Sequence, residues 1–338
     1  MLVKRLKYVL LIAVAVSYVS CKNEKDGYKP NVAGSAGEML IVMDDKVKSS
    51  TGGQSIQYMM IQPYLGLPQE EPHFNISVVP HRSLTSSLKI FRNLVLVEIS
   101  PNVKADTIKY YENMWARPQA SARITATDTT AFRELIEQNE ILLLSFFNKM
   151  ERKRSQNYFK KYPNPDLMEL WKKQWDARMT IPTGFLKNKG NENFAWMSEE
   201  AAWGTMGIMT YEFPYVGEGT FSKEYLLNKR DSMLNKNLPG PSKGSYMTTE
   251  HGYPVMYKRN KVNGLEAVEL RGLWKVQNDM MGGPFLLRAH WDKARNRVLV
   301  TDGYVYCPEK PEKRDKIRQL EAIMYSLQVD SDPITEKK

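Results

Sequence analysis

The chain has 338 residues, 42% of them hydrophobic and 25% charged, with 18 Tyr, 11 Phe and 7 Trp. That length and aromatic content exclude a disordered chain and suit one large domain or two smaller ones, without disulfide staples. The formal net charge of +10 leaves three partner classes for a basic surface, nucleic acid, an anionic membrane and an acidic glycan, beside a solvated surface with no dedicated partner.

Lys4, Arg5 and Lys7 precede an apolar run, Tyr8–Val16, and Ser17–Ser20 lead to Cys21. This is the basic, apolar and small-residue order of a signal peptide. The run is too short for a bilayer span, which takes about 20 apolar residues. Residues 1–20 are therefore expected to be a signal peptide, and Cys21 the lipid-bearing residue of an exported lipoprotein. Tyr18 stands where a lipobox usually has Leu; a short uncleaved anchor is the alternative. Without the three leader cations the mature chain carries +7. The expected location is the cell envelope, on the outer membrane and facing the periplasm or the cell surface. The partners implied are the membrane, through the lipid on Cys21, and an envelope protein or glycan. Nucleic acid is not expected as a partner. Residues 21–36 form the anchor and a polar tether.

Glu38–Met43 and Phe74–Val79 read as strands, and Phe91–Ile99 as a stronger one, rich in β-branched residues. Ser55–Leu65 reads as a helix ending at Gly66, followed by the rigid Leu67–Pro72 loop. After a strand at Ala120–Thr127, Asp128 or Thr130 caps a long helix whose apolar positions include Phe132, Ile136, Leu143, Phe147 and Met150. Pro163 and Pro165 end that pattern, and Leu167–Trp175 forms a further helix. Short strands then dominate: Ile181–Leu186, Phe194–Met197, Gly207–Phe213, Ser245–Thr249, Ala267–Trp274, Phe285–Trp291 and Arg297–Tyr306. A helix at Lys223–Met233 interrupts them, and Asn296 marks a hairpin turn. Pro308 and Pro311 precede an amphipathic helix with Ile317, Leu320, Ile323, Met324 and Leu327 on one face. The fold class is α+β, in two mixed subdomains: residues 37–178, and residues 179–328 as an antiparallel sheet covered by helices, followed by a tail at 329–338.

Several of these segments resemble the DUF4837 family. They are Gly37–Met43, Leu67-Pro68-Gln69 with Glu71-Pro72 and Phe74, Arg92-Asn93, Arg271-Gly272-Leu273-Trp274, Met281–Phe285, Gly303–Pro308 and Arg318–Leu327. The resemblance spans roughly residues 34–328. It implies a Bacteroidetes envelope protein of unknown chemistry and carries no catalytic residue with it. The second half, from Ile181-Pro182-Thr183-Gly184-Phe185, is similar to a Mog1/PsbP-type sandwich.

No residue pattern demands catalysis. The histidines, His73, His81, His251 and His290, lack zinc-pair spacing, and no metal or other cofactor is expected. Ser86-Ser87-Leu88-Lys89 matches S-x-x-K, but the supporting K-T-G and S-D-N motifs are missing. The adjacent acids Asp44-Asp45, Glu70-Glu71 and Glu199-Glu200 are poor glycosidase pairs, because neighbours on a strand face opposite ways. Glu71, held by a Pro-rich loop, is the acid to watch. Arg271 and Trp274 beside Gly282 and Gly283 form the most distinctive constellation. It is either a concave site, with Arg271 gripping an anion and Trp274 stacking on a ligand, or a tight hairpin with both side chains internal. Cys307 is a lone thiol after an apolar run. The basic run Arg152-Lys153-Arg154, with Lys160 and Lys161, reads as a membrane-facing stripe or the solvated face of a helix. The expected function is a non-enzymatic accessory lipoprotein that binds an envelope protein or glycan. The alternatives are a hydrolase acting on envelope polymers and a small-ligand carrier.

Overall fold

A computed structural model describes residues 28–310 and 312–329. Residues 1–20, expected to be a signal peptide, and Cys21 lie outside the described residues. The first sheet is built on β1 (Glu38–Val42), with β2 (Asn75–Val79) and β3 (Asn93–Ile99) parallel on either side of it. Helices α1 (Asp45–Lys48), α2 (Thr51–Ile61) and α3 (Ser86–Lys89) fill the connections. Then β4 (Thr107–Glu112) and β5 (Ala120–Ala126) complete the order β2-β1-β3-β5-β4, β5 parallel to β3 and β4 antiparallel to β5. The central strands read as unbroken apolar runs because both faces of a parallel sheet are covered. Met39, Ile41, Val95 and Val97 pack in one core with Ile56 and Phe132 of the neighbouring helices. Leu40, Val42, Leu94 and Leu96 pack under Leu84, Leu88, Phe91 and Trp115.

Helix α2 begins four residues before the expected start, because Ser50 caps it by accepting from Gly53 N–H. It ends at Ile61 because Pro63 holds Gln62 in an extended conformation, with ψ at 146°. The long helix α4 (Thr129–Lys161) has 33 residues and spans about 50 Å. Asp128 caps it, accepting from the backbone N–H of Thr130 and Ala131. Phe132 to Met150 pack on the first sheet, whereas Phe159 belongs to the core of the second half. The helix therefore ties the two halves together. It is pinned through Glu151, which accepts from Arg92 at 2.6 Å, Asn93 at 2.6 Å and Arg154 at 2.9 Å. Arg152 and Arg154 are turned inward onto carboxylates, so this part of the basic run is neither a membrane stripe nor a solvated face.

Helix α5 (Pro165–Trp175) and the short β6 (Ala177–Arg178) lead into the second sheet. Its strands are β7 (Leu186–Asn191), β8 (Phe194–Ala201), β9 (Gly204–Pro214), β10 (Tyr246–Thr249), β11 (Met256–Val262), β12 (Leu265–Gln277), β13 (Gly282–Asp292) and β14 (Arg297–Tyr306). The order is β10-β12-β13-β14-β9-β8-β7, antiparallel throughout, with β11 alongside the first half of β12. Strand alternation splits the side chains between two layers. Phe285, Leu287 and Ala289 pack with α6 (Lys223–Asn237), while Leu286 and Leu299 pack with α5 and α7 (Arg314–Met324). The short β15 (Gln328–Val329) pairs with β6 and closes the fold. Asn296 takes a positive φ of 48° at the β13–β14 turn, as its sequence position suggests. The segment expected as a strand at Ile181–Leu186 is a loop through Pro182 and Gly184, and the strand begins at Leu186.

Candidate functional site

A cleft of about 690 Å³ opens where the two halves meet. Helix α4 forms one wall, with Glu140, Ile141, Asn148 and Arg152 turned toward it. Strands β11 and β12 supply Met256, Lys258, Glu269 and Arg271, and the end of the chain supplies Glu321 and Tyr325. The loop after α2 is clipped in place by its backbone: Tyr64 N–H donates to Glu71 O at 2.7 Å, and His73 N–H to Gln62 O at 2.8 Å. That clip presents Tyr64 and His73 to the cleft. The loop tip lies so close to β12 that a Cβ on Gly66, whose φ is +82°, would sit 3.0 Å from the Arg271 Cβ.

The floor is a closed polar network. Arg271 Nε lies 2.7 Å from Glu269 Oε1, and its Nη2 lies 3.3 Å from Glu321 Oε2. Arg271 Nη1 donates to Tyr64 Oη at 3.0 Å, and the same hydroxyl donates to Glu321 Oε2 at 2.8 Å. Arg152 reaches the other oxygen of Glu321. Tyr325 donates to Glu269 Oε2 at 2.7 Å, and its ring carries the Arg152 guanidinium at 4.0 Å and that of Arg288 at 3.7 Å. Burial alone would raise the Glu321 carboxyl, but Arg271 and Arg152 hold it at about 2. Burial and the nearby Arg318 lower His73 to about 4, so its imidazole is neutral at pH 7. Each floor carboxylate already has cationic or hydroxyl donors, which leaves neither as a free general acid. The rim is different: Leu65 is 54% exposed and Ile141 78%, an apolar lip over a charged floor.

The sequence-singled residues fall in three places. Arg271 is in the cleft, but it grips internal carboxylates. Trp274 is buried, donates from Nε1 to Val305 O at 3.2 Å and meets the Tyr304 ring edge-on at 5.5 Å. Gly282 and Gly283 open β13; a Cβ on Gly283 would lie 2.1 Å from Val305 O, so close backbone approach explains that glycine. Trp274 and the two glycines border a separate hollow of about 540 Å³ near the fully exposed Met280.

Glu71 is a helix cap. Lys313 offers no side-chain cap to α7, and Glu71 from the other half accepts from the backbone N–H of Lys313 at 2.6 Å and of Arg314 at 3.0 Å. A carboxylate at a helix N-terminus satisfies orphan donors and complements the dipole. Glu71→Ala is expected to lower unfolding free energy by about 1–2 kcal/mol, as read from urea denaturation; a change under a few tenths would contradict the capping role.

Cys307 is buried, with its Sγ directed at Trp203 O at 3.1 Å. Ser86 and Lys89 lie on the four-residue α3, and the Lys89 ammonium stands 5.7 Å from the Trp115 ring. Among the described residues no group of three His, Cys, Asp or Glu could hold a metal ion, and no helix is long and apolar enough to cross a membrane. Tyr64, Glu321 and Tyr325 were not singled out from the sequence, and Arg152 only as part of a basic run. Glu321 has one local signal, a charge beside Leu320, Ile323 and Met324 on an otherwise apolar helix face.

Residues 164–326 match the domain of unknown function DUF4837, and residues 32–160 the domain of unknown function DUF8532. The chain carries both domains. The first-half segments that resemble DUF4837, such as Gly37–Met43, lie within the DUF8532 match, so the DUF4837 domain proper is the α5-to-α7 half. The cleft is thus where the DUF8532 and DUF4837 domains meet. No curated protein matches the chain. The Ran-binding protein Mog1p of Saccharomyces cerevisiae is similar in structure at 11% identity and a TM-score of 0.30, over 46% of this chain and 90% of that one. A protein of Bacteroides thetaiotaomicron VPI-5482 is similar at 10% identity and a TM-score of 0.20, over 48% of this chain and 47% of that one. Likenesses at this level carry no functional argument.

Proposed function

We propose that the protein is a non-enzymatic accessory lipoprotein of the cell envelope, and that the cleft between its two domains captures an extended segment of a partner polypeptide. The carrying observation is the pairing of walls. One side of the cleft is β11, an edge strand with no strand partner beyond β12 among the described residues. The other side is α4, with Ile141 exposed above the floor. A groove between an open strand edge and a helix suits an extended chain. The strand edge offers main-chain hydrogen bonds, and the groove takes alternate side chains. Both floor carboxylates are already engaged by guanidinium and hydroxyl groups, which supports binding over acid–base chemistry. The leader and Cys21 support export and lipid attachment, and the polar residues Lys22–Tyr28 support a tether, shorter than the expected 21–36 because residues 30–33 are bonded to the first half.

The test places a photo-crosslinking residue at Ile141, and separately at Lys258, in the full chain in its native cell. One polypeptide crosslinked from both positions, with yield reduced about tenfold by Leu65→Asp, is the expected result. Capture of a glycan alone, or no crosslink from either position, would overturn the cleft reading. Metabolic labelling with an alkyne fatty acid tests the anchor separately; label that persists in Cys21→Ser would refute attachment at Cys21.

A further inference from the structure

The outward face of the first sheet carries an arrangement that the cleft does not use. Lys109 on β4 and Arg123 on β5 stand directly opposite each other in the antiparallel register. Both are exposed, and neither has an acidic partner within ion-pair distance among the described residues. Like charges facing each other across a ladder are destabilising. Lys104, in the loop before β4, borders the same hollow of about 320 Å³. Glu98 is the one acid lining it, and it sits opposite Thr125, one same-face step along from Arg123. Asp106 lies in the adjoining loop but is turned to the Thr127 backbone N–H at 2.7 Å. The hollow therefore holds three cations against one carboxylate, with hydroxyls of Thr107, Tyr111 and Thr125 between them.

We infer that this hollow is an oxyanion site for a phosphate group, carried either by a lipid headgroup or by a free phosphate ester. A phosphate placed between Lys109 and Arg123 turns their mutual repulsion into two charge-assisted hydrogen bonds. Lys104 closes the third side. Arg123 supplies the planar fork suited to two phosphate oxygens, and the lysines act as point charges. The site lies on a rigid ladder rather than a loop, so its two main cations are already in position before the ligand arrives. The inference stands apart from the cleft, which is lined by different residues and different elements.

The test uses the mature chain from Lys22 onward, which keeps every described residue, with inorganic pyrophosphate and phosphatidylglycerol vesicles as probes. Lys109→Gln with Arg123→Gln removes the repulsion, so this variant is expected to melt at or above the parent temperature without ligand. Pyrophosphate is expected to raise the melting temperature of the parent and not of the variant, with affinity lowered about tenfold. Retention on phosphatidylglycerol but not phosphatidylcholine vesicles, competed by pyrophosphate, would identify a lipid headgroup as the source. Pyrophosphate binding without vesicle retention would identify a free phosphate ester. Two results overturn the site: no binding of either probe, or equal loss of binding in Lys160→Gln with Lys161→Gln, which removes the same charge from the exposed end of α4.

Discussion

Replacing Asp302 with Ala is expected to lower unfolding free energy by about 3–5 kcal/mol, because it leaves a fully buried guanidinium without its counter-charge. Asp302 on β14 and Arg230 on α6 are both completely buried, and Arg230 Nε lies 2.9 Å from Asp302 Oδ2. Arg230 also donates to Thr249 Oγ1 at 2.8 Å and stacks on the Phe285 ring at 3.8 Å. Those contacts orient the guanidinium but bring no full negative charge; Asp231 is 4.0 Å away and engaged by Thr249 and His251. Removing both charges, as Asp302→Ala with Arg230→Met, is expected to recover most of the loss, since an apolar pair of similar volume avoids two desolvation costs. Urea denaturation of the two single variants and the double variant gives the coupling. Additive losses would mean that the ion pair does not connect α6 to the sheet. Burial raises the Asp302 carboxyl to about 6 against the pull of Arg230. The folded chain then holds that proton more tightly than the unfolded chain, whose carboxyl has the ordinary value of 3.8. This group's contribution to stability rises as pH falls from 6 toward 3.8.

Elements with a strong internal period were legible in the sequence, as were the edge strands β2 and β10, but two other edge strands were not. Helix α4 announced itself through the spacing of Phe132, Ile136, Leu143 and Phe147 and through Asp128 at its start. The hairpin of β13 and β14 did so through two apolar runs and Asn296. Strands β4 and β11 were missed because edge strands carry polar, often cationic residues that blunt their open side. Their sequences, Thr107–Glu112 and Met256–Val262, read as loops for that reason. The site was less legible still. Arg271 stood out by its setting, but its partners come from positions 64, 269 and 321, Arg152 joins through Glu321, and only the packing of two domains unites them. Glu71 drew attention as a rigidly held acid. The helix it caps, however, begins 243 residues later, and no local pattern encodes that docking. Trp274 and Gly283 are distinctive for one shared structural reason: the β13 backbone crosses close to Val305, and the indole closes the space beside it.

The second large effect belongs to Glu321. Its folded carboxyl sits at about 2, against an ordinary value of 4.5. A lowered acid contributes stability that is fully present above 4.5 and is lost as pH falls through about 2. Removing one partner from a buried ion pair costs roughly 3–5 kcal/mol, because the remaining charge is left uncompensated. Glu321→Gln is therefore expected to unfold about 3–5 kcal/mol more readily at pH 7, with the difference from the parent shrinking between pH 4.5 and 2. The loss has a structural address. Glu321 receives Tyr64 and Arg152 from the DUF8532 half and Arg271 from its own half, so its carboxylate holds the two domains in register around the cleft. Urea denaturation at several pH values measures the difference, and a gap that stays constant down to pH 2 would refute the assignment. Asp302 and Glu321 act in opposite directions over adjoining windows. The parent chain is accordingly expected to gain from the first as pH drops below 6, and to lose from the second once pH falls below 4.5. Acid would then open the domain junction before it releases α6, and the proposed partner capture at the cleft would fail while the buried Asp302–Arg230 layer is still folded.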